Sequence, residues 1–174
     1  LYLCLKYLHV IAAIFLFGFG MGSYLYLIAA SRSGNPQVIA HVARMVVRFD
    51  TWITTPAGIV QVITGYLLMR LSGLSMSSEW LLTSLIIFFC VGALWLPVLV
   101  LQKRLQKMAL SAGESGLPLD DRFASTYRWW FWMGIAGFAG MFLIVLMMVT
   151  KMTPVQLVGL TAVSYTHLRA HETE

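Results

Sequence analysis

Trp80-Leu81-Leu82-Thr83-Ser84-Leu85-Ile86-Ile87-Phe88-Phe89-Cys90-Val91-Gly92-Ala93-Leu94-Trp95-Leu96-Pro97-Val98-Leu99-Val100-Leu101 is a run of 22 residues without one charged side chain. Wound as a helix it reaches ~33 Å at about 1.5 Å per residue, enough to cross a hydrocarbon core of ~30 Å. A strand reading fails, because the run does not alternate and an open sheet would leave backbone N–H and C=O groups unpaired in lipid. Working outward, three more segments have the same character, at residues 5–28, 51–70 and 129–150, beside this one at 80–101. The whole chain agrees. Of its 174 residues 59% are hydrophobic and only 11% charged, with a mean hydropathy of +0.80, whereas a soluble domain carries about a quarter charged residues. The sequence predicts an all-α polytopic membrane protein, four transmembrane helices in a bundle, with residues 1–162 as one domain.

The ends call for separate readings. The chain opens on Leu1, so the native start is expected upstream, and the first apolar run is too long and lacks the small-residue cleavage site of a signal peptide. It is read as a retained helix. From Val163 the sequence resembles one reading frame of a transposon adapter used in sequencing libraries, so residues 163–174 are expected to be a non-native tail. That sets aside His167 and His171, four apart, which would otherwise suggest a helical metal site. His9 and His41 remain. Thr153-Pro154 has the form of a helix start, which leaves a fifth segment open. Cys4 and Cys90 fall on different segments and define no disulfide framework.

Charge sets the expected orientation. The first and third connections hold Arg32, Arg44, Arg48, Lys103, Arg104, Lys107, Arg122 and Arg128, against Lys6, Arg70 and Lys151 on the other side. By the positive-inside rule the two basic connections are cytoplasmic and both termini lie outside a bacterial inner membrane. Tyr2, Tyr7, Tyr66 and Trp80 would form one aromatic belt, and Tyr24, Trp52, Trp95, Trp129 and Trp130 the other. The net charge of +5 is thereby accounted for by anionic lipid, and no nucleic-acid partner is expected. Pro36 should open a helix that begins outside the membrane, with His41, Arg44 and Arg48 at helical spacing. The third connection, Gln102 to Arg128, holds Lys103, Arg104 and Lys107 and then Gly113 to Asp121, which reads as a flexible stretch.

No glycine-rich phosphate loop, nucleophile elbow, zincin motif or cysteine metal pair is present, so no reaction is specified. The candidate chemistry lies in helix one, where His9, Ala13, Leu16, Gly20 and Ser23 share a face that should point inward. An ionisable group at membrane depth is a functional candidate by default. Gln61 and Thr64, from a polar stripe that runs Asp50, Thr54, Gly58, Gln61, Thr64 and Gly65, lie at comparable depth. His9, Lys6, Gln61 and Thr64 are therefore the candidate cofactor-binding residues, with His9 the one candidate metal ligand and heme the one cofactor named. In that reading Lys6 pairs with a propionate, and Met69 is the only second intrachain axial ligand in reach. His41 is separated from His9 by most of the core and cannot share an iron with it. The structural alternatives are an interhelical hydrogen bond at His9, a snorkelling Lys6, and helix-packing glue along the polar stripe. Asp50 reads most simply as a solvated charge near Arg48. The glycine-rich faces of helices one and four suit close helix approach, or contact with a second copy or another membrane protein.

The stretches Leu5-Lys6-Tyr7-Leu8-His9-Val10, Asp50-Thr51-Trp52, Gln61 to Leu68 and Leu94-Trp95-Leu96-Pro97-Val98 resemble a family of small bacterial integral membrane proteins, domain of unknown function 2269. The resemblance covers nearly all of residues 1 to about 152 and implies four helices and no assigned activity. A fainter likeness, carried by Lys6-x-x-His9 alone, extends to bacterial heme-binding protoporphyrinogen oxidases and copper-resistance membrane domains. In the oxidases the matching histidine is tied to heme. The sequence thus leaves a membrane protein of unknown function, with two alternatives: a small heme- or quinone-binding redox protein using His9, or a transporter subunit or assembly scaffold.

Overall fold

The computed structural model describes residues 1–159; the expected non-native tail, 163–174, lies outside them. The described elements are helices: α1 (Tyr2–Arg32), α2 (Pro36–Phe49), a π-helical turn (Asp50–Thr54), α3 (Thr55–Leu71), α4 (Glu79–Ser115) and α5 (Asp121–Thr150). Four helical rods among them are long and apolar enough to cross a membrane, with α2, the π turn and α3 forming one rod from Pro36 to Leu71.

The helix ends follow local chemistry. After α1 the Ser33 hydroxyl donates to the Ala30 carbonyl at 2.7 Å, and Gly34 turns the chain at φ +66°, a conformation that costs glycine little. The Asn35 side chain then accepts from the backbone N–H groups of Gln37 and Val38, capping a helix whose first residue is Pro36. Asp120 caps α5 in the same way, accepting from Phe123 N–H at 2.9 Å.

The π turn answers to Pro56. Proline has no N–H to give, and in a regular helix its ring presses on the carbonyl four residues back, here that of Trp52. The chain widens there: the Asp50 carbonyl accepts from the N–H of Thr55, five residues on, and from the Thr55 hydroxyl at 2.6 Å. A widened turn of this kind is frequent at functional sites.

Two ends of the molecule differ in packing. Near the basic connections, Tyr24, Leu27 and Ala30 of α1, Ile39, Ala40, Ala43 and Val46 of α2, Val98, Leu105 and Ala109 of α4, and Phe123 and Trp130 of α5 form one buried core. Alanines on α2 and α4 let those backbones approach closely. Toward the opposite end the helices are held mainly in two pairs, with Phe17 of α1 still reaching Phe142 of α5 at a ring-centroid distance of 4.9 Å. There α3 packs on α1, and α5 on α4, while α3 makes no comparable contact with α4 or α5.

Three expectations are corrected. The connection from Gln102 to Arg128 is largely helical, and the flexible stretch read at Gly113 to Asp121 narrows to residues 116–120: α4 continues to Ser115 and α5 starts at Asp121, because Gln, Lys, Arg, Met and Ala sustain a helix after hydrophobicity has ended. At 37 residues α4 reaches ~55 Å and overruns the bilayer core. Tyr24 and Trp130 do not belong to an aromatic belt, since both are buried in the core, whereas Trp52 and Trp129 are exposed as belt residues should be. Asp50 is not solvated, being only 2% exposed. Past α5, residues 154–159 are helical, and Thr153 and Gln156 cap that start reciprocally, side chain to backbone in both directions.

Candidate functional site

The structure brings His9, Gln61 and Thr64 together and leaves Lys6 apart. His9 Nδ1 lies 2.9 Å from the Thr64 hydroxyl oxygen. That hydroxyl donates its own proton to the Val60 carbonyl at 2.6 Å, so its oxygen can only accept, and Nδ1 carries the proton. Nε2 then holds the lone pair and accepts from the Gln61 amide at 3.1 Å. The tautomer follows from the network. The imidazole lies against Gly65, where a Cβ would come within 3.2 Å of Cε1. The ring thus occupies the space beside Gly65, and a heme iron would have to displace Gln61 to reach Nε2. The donor set does not fit heme as it stands. What the cluster does accomplish is to join α1 to α3 by a chain of hydrogen bonds in an otherwise apolar contact. His9→Ala is expected to lower stability by about 1–2 kcal/mol, since it strands the polar groups of Gln61 and Thr64; thermal unfolding in detergent measures this, and an unchanged midpoint would deny the clasp.

Lys6 is exposed and faces Lys151, whose ammonium is pushed down from its ordinary range by partial burial and by the positive charge of Lys6. Lys151 sits over the Trp80 ring at 4.2 Å, and an aromatic face favours the cation. This end anchors side chains, and among the described residues no group of His, Cys, Asp or Glu there could hold a metal ion. His41 is exposed on α2, at the other end of the molecule from His9.

Sequence reasoning missed a second site. Between the two helix pairs lies a cleft of about 380 Å³. The α1 wall includes Leu16 and Gly20, and the far wall is made by α4 and α5, with Phe88, Trp95 and Phe138 among its aromatic residues. At its basic end the lining turns polar: Asp50, Thr54, Gln102 and Trp130. Each is buried, at 2%, 4%, 4% and 0% exposure respectively. The Thr54 hydroxyl donates to Asp50 Oδ1 at 3.1 Å, and Gln102 lines the same end of the cleft. Among the described residues Gln102 Oε1 and Trp130 Nε1 have no hydrogen-bond partner, which is uncommon for buried polar atoms. The available signal in the sequence was Asp50 followed by Thr54, Thr55 and Pro56, a carboxyl on a turn that proline forces open. Gln102 could not have been paired with it, because 51 positions separate them.

No curated protein matches the chain, and no solved structure does. The likeness to heme-binding oxidases and copper-resistance domains is thus not borne out. A family match, however, covers residues 3–152, the whole set of four rods with both sites just described. The chain belongs to the family described as "Predicted integral membrane protein (DUF2269)".

Proposed function

We propose that this chain is a non-enzymatic protein of the bacterial inner membrane that accepts a lipophilic occupant into the cleft between its helix pairs, as a transporter subunit or an assembly partner would. The cleft carries the reading. It is the place where an apolar chain buries a carboxyl, an amide and an indole N–H around open space, and intramembrane ionisable groups are costly enough that they usually mark function. In this reading the basic end is cytoplasmic, both termini lie outside, and the occupant enters sideways from the bilayer. Gly18, on the outer face of α1, has nothing within 4 Å of an added Cβ, which leaves a small-residue surface for a second copy or a partner helix.

Gly137 lines the cleft, and a Cβ there meets nothing within 4 Å, so Gly137→Leu fills the space without a backbone clash. Lipid extraction and mass spectrometry of protein purified in mild detergent should find a lipophile that wild type retains, and that Gly137→Leu retains at a fivefold lower level or less. Equal retention by both would sink the reading. The redox alternative, with His9 on heme and Lys6, Gln61 and Thr64 around it, makes a different forecast: a Soret band lost in His9→Ala and kept in His41→Ala. Because the Nε2 lone pair is engaged by Gln61, we expect protein from heme-replete cells to be colourless and to take up no added heme.

A further inference from the structure

We infer that the occupant of the cleft is an amphiphilic cation, an N–H-bearing ammonium or aromatic cation on an apolar body, with Asp50 as its counter-ion. The inference rests on the cleft reading above and specifies its ligand.

Asp50 supplies the charge. Among the described residues the Thr54 hydroxyl is the hydrogen-bond partner of its carboxyl, and it brings no positive charge. The basic residues nearest in sequence to Asp50 and Gln102, namely Arg48, Lys103 and Arg104, are all exposed. A buried carboxylate without a counter-charge costs several kcal/mol, and an arriving cation offsets that cost in the low-dielectric cleft. A carboxylate with no counter-charge asks for a head that brings both positive charge and N–H donors, which an ammonium or an amino-bearing aromatic cation provides and a hydroxyl does not.

The walls suit the same ligand. Tyr24, Phe88, Trp95 and Phe138 line the space, and aromatic faces attract cations as well as flat apolar bodies. A bare inorganic cation would gain nothing from such walls after losing its hydration shell. Access agrees too: the core at the basic end closes the cleft on that side, while α3 stands away from α4 and α5. An amphiphile already dissolved in the bilayer can bring its head to Asp50 without crossing water.

The test uses the full chain in phosphatidylcholine nanodiscs, with empty nanodiscs as baseline and ethidium, a flat aromatic cation with amino donors, as fluorescent probe. Wild type should bind saturably. Dodecylammonium should displace the probe, and dodecanol, the same chain with a neutral head, should not. Asp50→Asn should weaken binding at least tenfold, and Gly137→Leu should abolish it. If dodecanol competes as well as dodecylammonium, or a folded Asp50→Asn protein binds like wild type, the cation is overturned, while loss of binding in Gly137→Leu would still uphold the cleft. If Gly137→Leu binds like wild type, the cleft reading fails with it. The absence of saturable binding by wild type overturns the inference outright. The competitor pair needs only wild type, so a misfolded Asp50→Asn protein would not rescue the idea.

Discussion

Gly134→Ala should sharply lower the thermal stability of the purified protein, whereas Gly137→Ala, three positions along the same helix, should leave it unchanged or raise it. Both substitutions make the same change in helix propensity, which favours alanine by about 1 kcal/mol. They differ in what the new methyl group meets. At Gly134 it would overlap the Tyr24 ring, with Cδ2 only 2.8 Å away, and the ring has nowhere to go. Its hydroxyl donates to the Phe131 carbonyl at 2.7 Å, and Trp130 and Phe138 hold it at centroid distances of 4.9 and 5.3 Å. Overpacking of this kind costs about 1–3 kcal/mol or more. At Gly137 the methyl group enters the cleft. Unfolding midpoints from a detergent thermal ramp decide the matter, and equal midpoints for the two variants would mean that α1 and α5 do not meet as described.

The second large effect is all-or-none. Cys4 and Cys90 are free and exposed, so both are first replaced by serine. A single cysteine at Ser75 should then react with a membrane-impermeant thiol reagent in intact cells, and one at Ser111 should react only after the cells are opened. Both positions are exposed, Ser75 in the connection between α3 and α4 and Ser111 on the basic extension of α4. The reasoning is the placement of Arg32, Arg44, Arg48, Lys103, Arg104, Lys107, Arg122 and Arg128 on one side, which the positive-inside rule assigns to the cytoplasm. The reverse pattern would invert the protein and turn the closed end of the cleft outward. Either pattern leaves the fold intact, because orientation is set during insertion and not by the contacts between helices.

How far the candidate sites could be read from sequence differs between them. His9, Gln61 and Thr64 were legible as a group, since periodicity places His9 on the inward face of α1 and the other two on one stripe of α3 at matching depth. Their roles were not, because the decisive fact is a proton count: the Thr64 hydroxyl gives its proton to Val60, which fixes how His9 can bond. Lys6 shared the motif but not the face, and ended up beside Lys151. Asp50 was legible as a membrane-rim carboxyl and was misjudged as solvated, because what covers it comes from elsewhere in the chain, in particular Gln102 on α4.

The sequence by itself determined the four apolar rods, the helix start at Pro36 and the charge asymmetry. Each of these is local: hydrophobic run length against bilayer thickness, a proline suited to the first position of a helix, basic residues counted connection by connection. Tertiary structure alone decided which rods pair, that the basic end is packed while the opposite end is more open, and that a carboxyl with no positive partner among the described residues lines the resulting space. It decided, too, that Gly134 is occupied by a tyrosine ring while Gly137 opens on the cleft. Lipid is as apolar as the side chains it surrounds, so hydrophobicity drives helices into the membrane without saying which faces meet. That choice falls to shape and to a few hydrogen bonds between residues far apart in the chain, and a linear pattern does not contain it.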